Sequence, residues 1–253
     1  MTDIIIEKQP ARRLDFSRLF AVLRRPSVTF TEITEEARGA WLMPMLMLSL
    51  TTIVVVIVTG YLRSHAAVTG EIPLPPDWQY WSPETQNEYM QAQQAGQGTA
   101  FVYILPLVGA LIAVWVGWAL VAALLHLGST LLGGRGSMQN ALNVVAWASL
   151  PFALRDILRI VFMLAVGHVI VSPGLSGFVV NPGFLSQVLA RVDLFWIWHV
   201  ILLVIGLAIA DGLPRNKALI GVAVILLLIL SAQAGLGSLI SGIGGGQSAV
   251  RSF

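Results

Sequence analysis

The sequence predicts an all-α integral membrane protein: a five-helix bundle preceded by a short N-terminal amphipathic helix at the interface. Three observations predict it. Of 253 residues, 56% are hydrophobic and 11% charged, whereas soluble domains carry roughly a quarter charged residues. Uncharged apolar runs long enough to cross a bilayer recur along the chain. Lys and Arg gather at alternate ends of those runs.

Residues 1–40 read as a cytoplasmic arm. Phe16, Leu19, Phe20 and Leu23 follow i, i+3, i+4, i+7 spacing, with Arg18 and Arg25 on the opposite face. This predicts an amphipathic helix on the inner leaflet, stopped by Pro26. The two arginines would touch lipid or a partner. Thr29 and Glu32 then have capping-box spacing for a second short helix. No cleavable signal is read, because the first apolar run starts only at Trp41.

The membrane domain covers 41–240, with spans at about 41–62, 101–132, 152–171, 194–210 and 218–240. At about 1.5 Å per residue each of the longer runs crosses a core of about 30 Å. The second exceeds what is needed and should tilt. The third is interrupted. Asn140–Leu150 is apolar but short, and Pro151 follows, which kinks or breaks a helix. That stretch either crosses, half-enters or lies on the bilayer. Residues 63–99 form an extracytoplasmic loop: Pro73, Pro75 and Pro76 extend its first half, and the Gln-rich Pro83–Gly98 suits a polar helix. Residues 241–253 are a glycine-rich tail.

Orientation follows from charge. Lys8, Arg12, Arg13, Arg18, Arg24, Arg25 and Arg38 precede the first span. Arg135, Arg215 and Lys217 occupy the other inner turns, while the outer loop holds Arg63 against four acids. The N-terminus is therefore expected in the cytoplasm and the C-terminus outside the cell membrane. Tyr61, Tyr80, Tyr89, Tyr103, Trp78, Trp81, Trp196 and Trp198 fall on the outer side, and Trp41 and Trp147 near the inner side, where such rings anchor. Arg191, near the outer end of the fourth span, is an exception.

Arg155, Asp156 and Arg159 are the most informative intramembrane group. The two arginines share a helix face, and Asp156 can pair with Arg159 at i, i+3. If Phe152 opens the span, they lie one or two turns inside the inner surface and snorkel to phosphates. The sharper readings are an anionic-headgroup site or a polar bridge within the bundle. His126 and His199 lie in spans two and four, where a neutral imidazole can ligate haem or a pigment. The plainer reading is packing. Gly109, Ala113 and Gly117, and again Gly206 and Ala210, repeat at intervals of four, which permits close helix packing; homodimerisation is the sharper alternative.

Catalysis has no candidate set. Gly133, Gly134 and Gly136 lack the Lys-Ser/Thr of a phosphate-binding loop, and no zinc-protease, nucleophile-elbow or paired-carboxylate spacing occurs. The absence of cysteine removes disulfides and thiolate metal sites. No cofactor or metal is expected, and the scattered basic residues do not suit nucleic acid.

Arg25-Pro26-Ser27-Val28-Thr29-Phe30-Thr31-Glu32-Ile33 resembles the lead-in of bacterial members of the Yip-one (Ypt/Rab-interacting protein) family. So does Gly133-Gly134 followed by Ala141 to Pro151. Asp193-Leu194-Phe195 to Trp198, with Gly206 and the Arg215 to Ala218 turn, is similar to that family's fourth-span region. The resemblance covers about residues 20–240 and implies five spans with a cytoplasmic N-terminus. Eukaryotic relatives bind small GTPases and carry an acidic-aromatic D-L-Y-G-P element in their N-terminal region, which this sequence lacks. The reading that follows is a non-enzymatic membrane adaptor or scaffold that organises a partner membrane protein or local lipid. The alternatives are a small transporter or channel with a polar path at Arg155, Asp156 and Arg159, and a pigment- or haem-binding subunit.

Overall fold

The computed structural model describes residues 16–36, 39–68, 75, 77–96, 98–170, 173–179 and 183–249. Lys8, Arg12, Arg13, Arg38 and most of the proline-rich stretch at 73–76 lie outside the described residues. Among the described residues every regular element is helical. Four helices are long and apolar enough to cross a membrane: Leu42–His65, Ala100–Leu131, Leu194–Asp211 and Arg215–Gly237.

The N-terminal elements are α1 (Phe16–Arg24) and α2 (Pro26–Glu35). The helix break falls at Arg25, and α2 starts on Pro26, whose fixed φ suits a first helical turn. Thr29 is therefore inside α2 rather than capping it, and its hydroxyl donates to the Arg25 carbonyl at 3.1 Å. The apolar face of α1 is split: Leu19 and Val22 are buried, whereas Phe16 and Phe20 are exposed. Val22 packs in the core although the i, i+3, i+4, i+7 set omits it. Arg18 pairs with Glu36 at the far end of α2, with one bond at 2.9 Å, so α1 and α2 fold back on each other.

Helix α3 (Leu42–Val68) carries six residues beyond Leu62, into the stretch read as loop. A 3-10 turn at Trp78–Tyr80 and α4 (Pro83–Gly96) follow, with Trp78, Trp81 and Tyr89 packed edge to face. A π-turn at Ala100–Ile104 runs into α5 (Leu105–Leu131). The interrupted stretch is two helices, α6 (Met138–Ala148) and α7 (Leu150–Val166). Pro151 sits in the first turn of α7, and Ser149 keeps near-helical angles between the two. The missing proline donor bends the rod without unwinding it. A short α8 (Phe184–Leu189) precedes α9 (Leu194–Asp211). Helix α10 (Arg215–Ala249) continues through the glycine run read as a tail.

Helices α3, α5, α10, α9 and α7 pack in that order, and α7 returns to α3, so the five form a ring. Helix α6 packs on α5 and α9 and plugs one end of this ring. After its exposed first turn it is largely buried, with Ala141, Asn143, Val144, Val145, Ala146, Trp147 and Ala148 shielded. Two of its side chains clamp one peptide of the lead-in to α3: Asn143 Oδ1 accepts from Ala40 N at 2.9 Å, and Trp147 Nε1 donates to Ala40 O at 3.0 Å.

Helix α2 docks against α9 at the plugged end. Gly206 makes this approach feasible: a Cβ there would stand 2.7 Å from Val144 and 3.1 Å from the Phe30 ring. Substituting Gly206→Leu is expected to cost about 1–3 kcal/mol by overpacking. Thermal unfolding in detergent would register the loss, and an unchanged midpoint would contradict this packing.

Candidate functional site

At the opposite end, where α9 begins, the ring encloses a chamber of about 400 Å³. The helices reach it through faces of helical period. From α7 come Phe152, Arg155 and Arg159, from α10 Leu226, Ile229, Leu230 and Gln233, and from α9 Trp196 and His199. The segment after α7 contributes Pro173, Ala190 and Arg191 over the mouth. That segment is held by its own backbone: Leu175 N donates to Leu189 O at 2.9 Å and to Val192 O at 3.2 Å. Gly174 allows this, with φ of +61° and three carbonyl oxygens within 2.9 Å of where a Cβ would stand.

Five charges meet in or beside the chamber. Arg155 Nη1 lies 3.5 Å from Asp193 Oδ2, and Arg159 Nη2 lies 3.9 Å from the same oxygen. Arg155 Nε is 3.5 Å from Asp156 Oδ1, yet it is buried and makes no hydrogen bond. The guanidinium also sits 4.8 Å from the centre of the Phe152 ring. Arg191 donates to Gln187 O at 2.7 Å and to Gln233 Oε1 at 3.0 Å, neither of which carries charge. Three arginines thus face two carboxylates, an excess of one positive charge. Asp193 has a second task, capping α9 by accepting from Trp196 N at 2.8 Å.

Helix α6 supplies three turns before Phe152, which carries Arg155 and Arg159 to the level of the α9 N-terminus. Of the arm residues read as lipid contacts, Arg18 is paired with Glu36 and Arg25 is exposed at the α1–α2 junction, both apart from the chamber.

A recess of about 230 Å³ adjoins the chamber toward α6, sharing Val121, Phe152, Arg155 and His199 with it. Its other walls are Leu48, Thr52, Ala113, Val114, Gly117, Trp118, Val145, Ser149 and Asp156. Trp41, Trp115 and Trp118 pack together below it, with ring centres 5.0–6.1 Å apart. The indole N–H of Trp118 is already given to Leu142 O at 2.9 Å.

The small-residue stripes separate into two uses. Gly206 and Ala210 are buried in helix packing on α9. Gly109 and Gly117 have nothing within 4 Å of a Cβ position, so they mediate no close helix contact within the described residues. The two histidines are not brought together. His199 is buried, bonds the Ala148 carbonyl through Nδ1 at 2.8 Å and stacks on Phe152. His126 Nδ1 is buried without a hydrogen bond, in the same helix as the buried Ser129. Nearby, Asp211 is 3% exposed, and neither carboxylate oxygen finds a hydrogen bond among the described residues. The turn after α5 covers it, with Arg135 N donating to Asp211 O at 3.0 Å. No group of three or more potential metal-ligating side chains occurs among the described residues.

Sequence reasoning missed the part-buried Asp193 and the buried Asp211, and it read Arg191 only as a charge out of place. Asp193 did carry a local signal, an acid directly before an apolar run, which is the position of a helix cap.

Comparison with known proteins adds three findings. The family model described as Yip1 domain matches residues 20–236. Membrane protein YknW of Bacillus subtilis (strain 168) is 26% identical over 241 residues, which span 94% of this chain and 98% of that protein. No solved structure matches.

Proposed function

We propose, from the premise that this chain belongs to the Yip1 domain family, that it is a non-enzymatic membrane scaffold holding an anionic headgroup in its charged chamber. Through that headgroup it organises local lipid or a partner membrane protein. The reading takes α6 and α7 together as a fifth crossing, kinked at Ser149, beside the four helices long enough to cross alone. It places the N-terminal arm, Arg135, Arg215 and Lys217 on the cytoplasmic side, and α1 on the inner leaflet through Phe16 and Phe20. The chamber then opens toward the outside.

The observation that carries the proposal is the uncompensated positive charge. At about 4 Å and an effective dielectric near 20, a unit charge gains about 4 kcal/mol from an opposite partner. Arg155 Nε is buried and makes no hydrogen bond, although Asp156 Oδ1 stands 3.5 Å away. Replacing Arg155 and Arg159 with Leu turns an excess of one positive charge into an excess of one negative charge. Anionic lipid co-purified with the protein is expected to fall at least about tenfold, the worth of one charge-assisted hydrogen bond. Arg191→Gln, which breaks no ion pair seen in the chamber, should lower it by a smaller factor. Unchanged lipid in both variants, measured by mass spectrometry, would refute the proposal.

The transporter reading retains one favourable observation, a cavity that reaches Arg155 and Arg159. Against it, α6 and the three tryptophans occupy the ring below the recess. Flux through reconstituted vesicles, abolished by the same double variant, would restore it.

A further inference from the structure

We infer that the chamber takes a membrane amphiphile, with its carboxylate or phosphate-monoester head among Arg155, Arg159 and Arg191 and an alkyl chain in the recess below. The inference rests on the anion-holding reading and adds the ligand's second half.

The recess adjoins the charged chamber, since Val121, Phe152, Arg155 and His199 border both. Most of what remains of its lining is apolar, with Leu48, Val114 and Val145 prominent. Trp118 offers no free donor there, since its N–H is spent on Leu142. A space of about 230 Å³ with such walls holds water poorly. Left uncovered, its apolar walls forfeit the dispersion contacts that an alkyl chain would supply.

Two residues keep this space open. Ala113 and Gly117 stand one turn apart on α5, on the recess wall. A Cβ at Gly117 would meet nothing within 4 Å, so no neighbouring helix requires glycine at that position. Helix propensity disfavours glycine there relative to alanine. A chain lying against Gly117 accounts for a residue that the packing of the protein itself does not. The order of the two regions, charge at the mouth and apolar wall beneath, is the order of a headgroup and its tail.

The test uses the full chain in a neutral maltoside detergent, with dodecyl phosphate, dodecanoate and butyl phosphate as probes. The wild type should bind dodecyl phosphate at least about tenfold more tightly than butyl phosphate, since burial of two methylenes already accounts for that ratio. Gly117→Leu sets its Cβ in open space and extends its side chain from the recess wall. It should erase the difference between long and short chains while leaving butyl phosphate binding within about twofold of wild type. Ala113→Leu, one turn away, should do the same and guards against a folding defect in the first variant. Persistence of the long-chain preference in both variants, or its absence in the wild type, overturns the recess assignment. If no probe binds the wild type, or if Arg191→Gln changes none of them, the anion-holding reading fails instead. Dodecanoate against dodecyl phosphate separates the two head chemistries. Mass spectra of the organic extract show which source the membrane supplies.

Discussion

Asp193→Ala is expected to destabilise the protein by about 3–5 kcal/mol, the range for removing one partner of a buried ionic group. Oδ2 is the carboxylate oxygen nearest both Arg155 Nη1, at 3.5 Å, and Arg159 Nη2, at 3.9 Å. Without it, Asp156 is left to answer three arginines. Oδ1 caps the first turn of α9, a bond whose loss alone costs about 0.5–2 kcal/mol. Asp193→Asn separates the two contributions, since the amide oxygen can still cap the helix while the charge is gone. Thermal unfolding in detergent should rank wild type above Asn and Asn above Ala. An Asn variant as stable as wild type would show that the ion pairs contribute nothing. Because the groups are only partly exposed, added salt should recover little of the loss.

Trp147→Ala should cost about as much by a different route. The side chain is 2% exposed in the last turn of α6, and truncating a buried aromatic of this size costs about 3–5 kcal/mol. It also removes the bond from Nε1 to Ala40 O, which with Asn143 holds the lead-in to α3. Two readouts are therefore expected to move together: the unfolding midpoint falls, and residues 16–36 become more accessible to protease. Trp147→Phe keeps most of the volume and should show the second effect with a smaller first one. If the arm stays equally protected in both variants, the clamp at Ala40 does not hold it, and the docking of α2 on α9 through Phe30 and Gly206 suffices.

Much of this architecture was legible in local pattern. The uncharged runs marked where apolar helices form, because no soluble fold hides so much apolar surface. Helical spacing alone put Arg155 and Arg159 on one face, with Asp156 in reach of Arg159. What local pattern misjudged were features with two physical solutions. Pro151 can end a helix or start one, and only the burial of α6 beyond its first turn shows a rod that bends and continues. The spacing of Gly109, Ala113 and Gly117 suits helix contact, yet Gly109 and Gly117 meet no neighbour and Ala113 and Gly117 border a cavity.

The sequence by itself determined that this is an all-helical, multi-pass membrane protein of the Yip1 domain family. Hydropathy, period and family motifs are properties of short stretches, and they survive without knowledge of what packs beside them. Which charges meet was decided only by the tertiary structure. Asp193 reaches Arg155 across 38 residues of chain, and Arg191 reaches Gln233 across 42. No spacing rule links residues so far apart. Their meeting depends on the order in which five helices close a ring, and that order is set by side-chain packing over the whole bundle.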